Sequence, residues 1–519
     1  MPKIIYTTDV ATMANLSPNE TDWVYNGLDC TVTAEVLEAL LKNQDEVSEK
    51  TYKFSLALQA PVLEMSLRGI LIDTNERDRL IAKALSNIGQ LSTQLNTIFR
   101  DGLKLKINWR SPKQLGSFLY DVMGLKEIKK RSTTTGKYSR TVGRDALEKL
   151  QYNYYAQPIC KHLLTLRDYD KQRQFLEAPI DKDQVFRSGY NIAGTNTGRL
   201  SSAKNCFGTG NNAQNVSRDL RSICRSRPGY KFANLDLEQA DARNIGAICW
   251  NLFIEDHGPE FAGAYLDACE SGDLHTQVCK LAWQDLNWPD NYKGQRKIAD
   301  EIFYRNYTRR DASKTLGHGT NYIGQPATMA KHSHIPAAII TEFQKQYFGA
   351  FPCIPMWHEY VKYCLKHHGF ITTLFFNRRR FFFGRPTEDA TVREAVAYAP
   401  QSMTADEIDT GIIKLWETNK IRVLAQVHDN ILFEYPEERE AEIIPWALKT
   451  LEVPMMLKQG REFIVPTEAK IGWNWGDTSF NSDGSVKSNP HGLVKWKGSV
   501  DIRNTPIYND KKKPSIWNF

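Results

Sequence analysis

A chain of 519 residues with 24% charged and 41% hydrophobic side chains can bury a large core divided among several subdomains. Its net charge of +7 suits a polyanionic partner without requiring one. No apolar run approaches the ~20 residues of a membrane span, and the start "MPKIIYTTDV" lacks a secretory apolar segment. The nine cysteines form no CxxC pair and no zinc-spaced His/Cys cluster. The expectation is a cytoplasmic protein with reduced thiols and no membrane partner.

In chain order, "TVTAEVLEALLKNQ" and "RDRLIAKALSNIGQLSTQLNTIFR" place apolar residues three and four apart and predict helices. "RGILID" between them predicts a short strand. Ser111-Pro112 offers an N-cap followed by Pro at the first helical position. The Ser-, Thr- and Lys-rich stretch 129–144 reads as a mobile loop. "KFANLDLEQ" reads as a strand ending at Asp236, helices are expected over about 240–350, and mixed α/β structure over 370–477. After about residue 478 the chain becomes polar and basic. Basic clusters at 129–144, 218–227, 305–310 and 377–385 are interleaved with Tyr and Phe, as on nucleic-acid surfaces.

Two strands carry carboxylates where apolar residues are expected. In "QVHDNILF" (426–433), His428 and Asp429 are open to two readings: a hairpin tip built on Asp-Asn turn chemistry, or a hairpin presenting a carboxylate to a metal ion. Asp236 either caps the following helix or does likewise. Were they on neighbouring strands, Asp236 and Asp429 could hold two divalent cations for phosphoryl transfer. Between them, Arg310, Lys314, His318 and Tyr322 recur every four residues in "RRDASKTLGHGTNYIG", one winding stripe on a helix. Gly317 and Gly319 flank His318, which implies close approach of something to the backbone.

These features together resemble a family A DNA polymerase of the DNA polymerase I type. "DLEQADAR" resembles the first palm motif, with Asp236, Gln239 and Asp241 at its Asp, Gln and Glu positions. The stripe matches the fingers-helix motif, and His428, Asp429 and Asn430 match the third motif. "TNTGRLSS", "NNAQN", "DLHT", "NRRR", "REAVAYAPQSMTAD" and "AKIGWNWGD" follow in the family's order, so the likeness covers about residues 55–477. It implies a mixed α/β (α+β) right hand with an antiparallel palm sheet. The expected divisions are 1–50 as an exonuclease-like end segment, 51–190 thumb and approach to the palm, and 191–245 first palm part. Then come 246–355 fingers, 356–477 second palm part, and 478–519 a basic, aromatic extension.

The resemblance further implies template-directed, primer-dependent addition of dNTPs, with Asp236 and Asp429 binding two Mg²⁺ ions and Mn²⁺ able to substitute. Arg310, Lys314 and His275 would engage the triphosphate, Lys314 would also protonate pyrophosphate, and Tyr322 would lie at the insertion pocket. Arg199, Asn215, Gln401, His428, Arg378 and Arg379 would contact primer–template DNA. Three departures stand out. His318 replaces a stacking Phe or Tyr, and should alter sugar discrimination. Asp241 replaces the glutamate that blocks a ribose 2′-hydroxyl, and Asn430 replaces a peripheral acid whose loss should leave activity intact.

Ahead of the thumb, Tyr25 and Asp29 have the Tyr-x-x-x-Asp spacing of a 3′–5′ exonuclease's last motif, without the Asp-x-Glu metal motif upstream. Two readings stay open: a helical brace, or a split enzyme in which a separate exonuclease polypeptide, among other replisome proteins, is completed by this segment. The tail reads as a tether, a DNA contact or a docking strand. A phage or plasmid replicase in a bacterial cytoplasm is the expected setting. The alternatives are a single-subunit RNA polymerase, disfavoured by "TGRLSS" and Asp241, and a non-catalytic DNA-binding scaffold, disfavoured by retention of both aspartates.

Overall fold

The computed structural model describes residues 15–498 apart from 132–135, 305–306 and 482. Parts of the basic clusters at 129–144 and 305–310, and the tail beyond 498, therefore lie outside the described residues. The described residues begin with α1 (Pro18–Lys42), opened by a Ser17–Glu20 capping box, and α2 (Glu46–Arg68). The expected short strand is β1 (Ile70–Ile72), and α3 (Thr74–Thr97) follows. Ala84, Ile88 and Leu95 lie four and seven residues apart on α3 and form its buried face. That face packs with α4 (Pro112–Gly116), α5 (Arg144–Leu150) and α6 (Gln157–Leu176), whose Leu115, Leu147, Leu163 and Leu166 complete one core. Ser111 caps α4 by accepting from Gln114 N–H, with Pro112 at the first position as expected.

The stretch 129–144 is not simply a loop. Strands β2 (Lys129–Arg131) and β3 (Tyr138–Arg140) pair antiparallel, and Arg140 ties the hairpin to Asp121 and Glu127. Composition alone misled because these strands are held by charged side chains rather than a buried apolar face.

Next come β4 (Val185–Phe186), β5 (Ser188–Asn191), β6 (Ser201–Lys204), β7 (Cys224–Arg225) and β8 (Tyr230–Leu237). The helical region comprises α7 (Ala240–Glu270), α8 (Leu274–Ala282), α9 (Tyr292–Ala299), α10 (Arg309–Asn321), α11 (Pro326–Ser333), α12 (Ala337–Ala350) and α13 (Cys353–His367). The short hairpin β9 (Ile302–Tyr304) and β10 (Tyr307–Thr308) interrupts it before α10. Thr308 begins α10 by accepting from Asp311 N–H. Then follow β11 (Phe370–Thr372), β12 (Arg379–Phe381), α14 (Asp389–Glu417), β13 (Arg422–Val427), β14 (Asn430–Pro436), α15 (Glu440–Leu451), β15 (Met455–Met456), β16 (Glu462–Phe463) and β17 (Thr467–Gly472).

The central sheet has the order β13-β14-β8-β17-β20, antiparallel throughout, where β20 is Val494–Lys495. Ala233, Leu235 and Leu237 enter the helical core formed with α7 and α14, while Phe232 joins a second core with Ile70, Ile223 and Trp475. Both faces are covered, which explains why β8 reads as an almost continuous apolar run. Each fully buried Leu in such a strand contributes about 2 kcal/mol. Residues 478–495 are not a loose tail: β18 (Ser479–Phe480) and β19 (Val486–Ser488) form a hairpin, and β20 extends the sheet beside β17. Among the described residues, no helix is long and apolar enough to cross a membrane.

Candidate active site

The sheet brings the two suspected carboxylates to one end. Asp236 sits near the end of β8, opposite Asn430 of β14 in the strand register. His428 and Asp429 form the two-residue tip of the β13–β14 hairpin, between the paired Val427 and Asn430. Both readings of that stretch therefore meet: it is a turn, and the turn delivers a carboxylate. His428 takes φ +59° and is exposed, a left-handed conformation that a side chain with a Cβ adopts only against steric resistance. Leu237 N–H donates to the Asp429 carbonyl at 3.2 Å, which ties the tip to β8. Asp236 does not cap the following helix; Gln239, at φ +55°, occupies the N-cap of α7.

Asp236, Gln239, Asp241, His275, Lys314, His318, Tyr322 and Asp429 all line one cavity of about 590 Å³. The stripe predicted for α10 faces it in part: Lys314 and His318 line the wall, and Tyr322 is the helix C-cap. His318 and Tyr322 meet edge-to-face with ring centroids 4.9 Å apart. Gly317 lines the cavity, whereas Gly319 makes room for the Met329 side chain, which a Cβ would meet at 2.6 Å. One of the two glycines thus serves helix packing.

Arg310, on the same stripe, is turned to Asp273. Its Nε and Nη2 donate to both Asp273 oxygens at 3.2–3.3 Å, and Arg296 approaches at 3.5 Å. Burial raises the Asp273 carboxyl, but hydrogen bonds from Arg310 and Thr276 outweigh it and hold it at about 2. His275 is pushed down to about 4 by burial and then by the Arg310 charge, so its imidazole is neutral near pH 7. Asp273 lies within "DLHT", and its partner Arg310 is 37 residues further along the chain, beyond the reach of any local spacing rule.

Among the described residues neither carboxylate has a direct ion-pair partner, and Lys470 and Arg199 act on them only at longer range. Burial, then the Asp429 charge, raises Asp236 to about 6. Burial likewise raises Asp429. The polar neighbour offered to Asp236 is Asn430 Nδ2 at 3.2 Å, and both Asn430 Oδ1 and Gln239 Oε1 are buried without a partner. Partly desolvated, mutually repelling carboxylates beside orphaned oxygen acceptors fit hard divalent cations. Among the described residues no three His, Cys, Asp or Glu side chains converge as a self-sufficient metal site. Mg²⁺ needs only one or two carboxylates when phosphates complete its shell.

The remaining expected residues are spread around this cavity's surroundings. Arg199 Nη2 reaches Asp241 at 3.5 Å. Asn215 is exposed on a short 3₁₀ turn, and Gln401 is half-buried on α14. Arg379 pairs with Asp45 at 2.6 Å and lies over the Phe370 ring. The Arg378 guanidinium is committed to the buried Asp406 through three contacts of 2.6–3.2 Å. Tyr25 and Asp29 are exposed on α1, which buries none of its residues. Sequence reasoning passed over Thr404, Asn244 and Glu407 behind Asp241; acids within the apolar run "MTADEIDTGII" were the available signal.

An antiparallel palm sheet with acids at one end, faced by a cationic helix, defines a right-hand polymerase fold. Residues 76–477 match the family model for DNA polymerase family A, and the chain belongs to that family. It is 28% identical over 505 residues to DNA polymerase I of Synechocystis sp., covering 89% of this chain and 46% of that protein. It is 27% identical over 444 residues to DNA polymerase I of Geobacillus stearothermophilus, covering 80% and 44%. The chain spans about half the length of the curated relatives it matches. A solved structure described as the POL domain of Pol1 from M. smegmatis in complex with DNA primer-template and dNTP superposes with TM-score 0.65. That match is 23% identical and covers 81% of this chain and 69% of that one, a likeness of fold.

Proposed function

We propose that this chain is a template-directed, primer-dependent DNA polymerase that adds deoxynucleoside triphosphates to a DNA 3′-hydroxyl. The observation that carries the reading is the convergence of Asp236, Asp429, Lys314, His318 and Tyr322 on one cavity. Family membership supports it, as does the primer-template and dNTP bound in the M. smegmatis relative.

Asp236 and Asp429 would hold two Mg²⁺ ions, with Mn²⁺ as a substitute; the bound ions would lower the charge cost of in-line displacement. Lys314 places a cation against the triphosphate and can donate a proton to the leaving pyrophosphate. Neutral His275 can donate a hydrogen bond to a phosphate oxygen. Arg310 acts on the same charge only once it exchanges Asp273 for phosphate, so Asp273 holds it ready. His318 presents a planar ring for stacking on the incoming nucleotide, and Tyr322 closes the pocket. Exposed His428 at the hairpin tip suits the primer terminus, with Arg199, Asn215, Gln401 and Arg379 toward the duplex. Arg378 reaches DNA only at the expense of its bond to Asp406.

Extension of a labelled primer on a DNA template with Mg²⁺ and dNTPs, beside Asp429→Ala, tests the reading. Template-directed extension in the wild type, lost by at least about 10³-fold in the variant, is expected. DNA binding without extension in either chain would return the scaffold reading. A finer part of the proposal is that α1 completes a separate 3′–5′ exonuclease polypeptide; its exposed Tyr25 and Asp29, beside exposed Trp23, Leu28 and Val32, support it. Full proofreading by such a polypeptide in the absence of this chain would remove that part.

A further inference from the structure

Behind the nucleotide cavity, side chains of the two longest helices, α7 and α14, and the C-cap of α10 form a hydrogen-bonded cluster around Asp241. Thr404 of α14 donates from Oγ1 to Asp241 Oδ1 at 2.7 Å. Asn244, one turn after Asp241 on α7, donates from Nδ2 to Thr404 Oγ1 at 3.2 Å. Tyr322 donates from its hydroxyl to Asp241 Oδ2 at 3.3 Å. Asn244 also lies within hydrogen-bonding reach of Glu407. Thr404 is 1% exposed, Asn244 0% and Glu407 2%, while the Asp241 side chain is 24% exposed and lines the cavity.

The polarity of this chain is determined by what each group can do. Ionised Asp241 only accepts, so the Thr404 hydroxyl proton goes to it in preference to the Pro400 carbonyl at 3.1 Å, a neutral and longer acceptor. Thr404 oxygen then accepts from the Asn244 amide, whose own Oδ1 is left buried and unpartnered. Both Glu407 oxygens are also buried without a partner. One proton on the Glu407 carboxyl would reconcile these two neighbouring groups of orphaned acceptors by giving Asn244 Oδ1 a donor. Burial pushes Glu407 well above its usual range, which agrees. Every donor then points toward the cavity.

We propose that Thr404, backed by Asn244 and Glu407, is a positioning residue that holds Asp241 and, through it, Tyr322, and so sets how strictly the cavity excludes a ribose 2′-hydroxyl. The inference rests on the polymerase reading of the same cavity. Asp241 is one methylene shorter than glutamate, and a short carboxylate is an effective wall only if something fixes it. Thr404 does so from the buried side, where water does not compete.

The measurement is the ratio of kcat/KM for a ribonucleoside triphosphate to that for the matching deoxynucleoside triphosphate, on primer–template DNA with Mg²⁺. Thr404→Val keeps the volume but removes the hydroxyl, and should raise the ratio about tenfold, the scale of one charge-assisted hydrogen bond. The deoxynucleotide kcat should change less than about twofold, and Thr404→Ser should restore the wild-type ratio. Glu407→Gln still donates to Asn244 and should match wild type, whereas Glu407→Leu should shift the ratio in the direction of Thr404→Val. Should Thr404→Val not fold, Thr404→Ala carries the same expectation. A wild-type ratio in the hydroxyl-free variant overturns the positioning role while leaving the polymerase reading intact. Failure of the wild-type chain to extend with either sugar overturns both.

Discussion

Two sets of acidic side chains in the interior are treated in opposite ways. On α14, Asp406 is 1% exposed at its side chain and is met by Arg378 at 2.6 Å; the same guanidinium packs where a Cβ on Gly198 would meet it at 2.8 Å. At the sheet end, Asp236 and Asp429 are only partly buried and both are raised by burial, Asp236 further by the Asp429 charge and Asp429 by that of Asp241, and Asp236 is offered one amide. A buried charge needs a partner. Where the partner is built in, the acid belongs to the fold; where it is withheld, the fold leaves a place for charge brought from outside. The contrast separates Asp406 from the pair at the sheet end without reference to any relative.

The largest effect should come from the withheld partner. Asp429→Ala, which abolishes extension, should unfold no earlier than wild type in divalent-free buffer, and later by about 0.5–2 kcal/mol if the repulsion dominates, as for other functional residues kept at a stability cost. Denaturant unfolding of both chains checks this; a markedly weaker variant would mean that Asp429 also supports the hairpin. Arg378→Met should behave in the opposite sense. It strands Asp406 in the interior and should cost about 3–5 kcal/mol, read in the same unfolding experiment. A loss below about 1 kcal/mol would place the guanidinium's main role outside the fold, on DNA.

Much of the site was legible because it is local. The apolar run ending at Asp236, the His428-Asp429 break and the four-residue stripe of α10 are patterns of period two and period four, which a sequence displays directly. What was missed is non-local. Thr404 and Asn244 are 160 residues apart, and no spacing rule connects them until α7 and α14 pack. Arg310 read as a free cation because Asp273 belongs to a different helix start. The β2–β3 hairpin was hidden by its Ser, Thr and Lys content, and β20 by being two residues long. In both cases strand pairing depends on a partner strand's position rather than on propensity.

The smallest effect tests a third treatment of buried acid, in which the charge is removed by a proton. Burial, and then the nearby Asp241 and Asp406 charges, raise Glu407 well above 4.5, with Asn244 working against the rise. A raised folded-state pKa means that the native state holds a proton the unfolded chain releases. Stability from this group is fully present below pH 4.5 and is lost as pH climbs toward the folded value. Glu407→Gln is neutral in both states and removes that loss, while Asp409, raised by burial as well, keeps its own contribution in both chains. The unfolding midpoint of Glu407→Gln relative to wild type should therefore climb as pH rises above 4.5, over the range in which the unfolded wild-type chain has released the proton that the folded chain keeps. A difference that stays constant across that range would mean that Glu407 is ionised in the folded chain. Asn244 Oδ1 would then have no donor, and the hydrogen-bond chain behind Asp241 would end at Asn244.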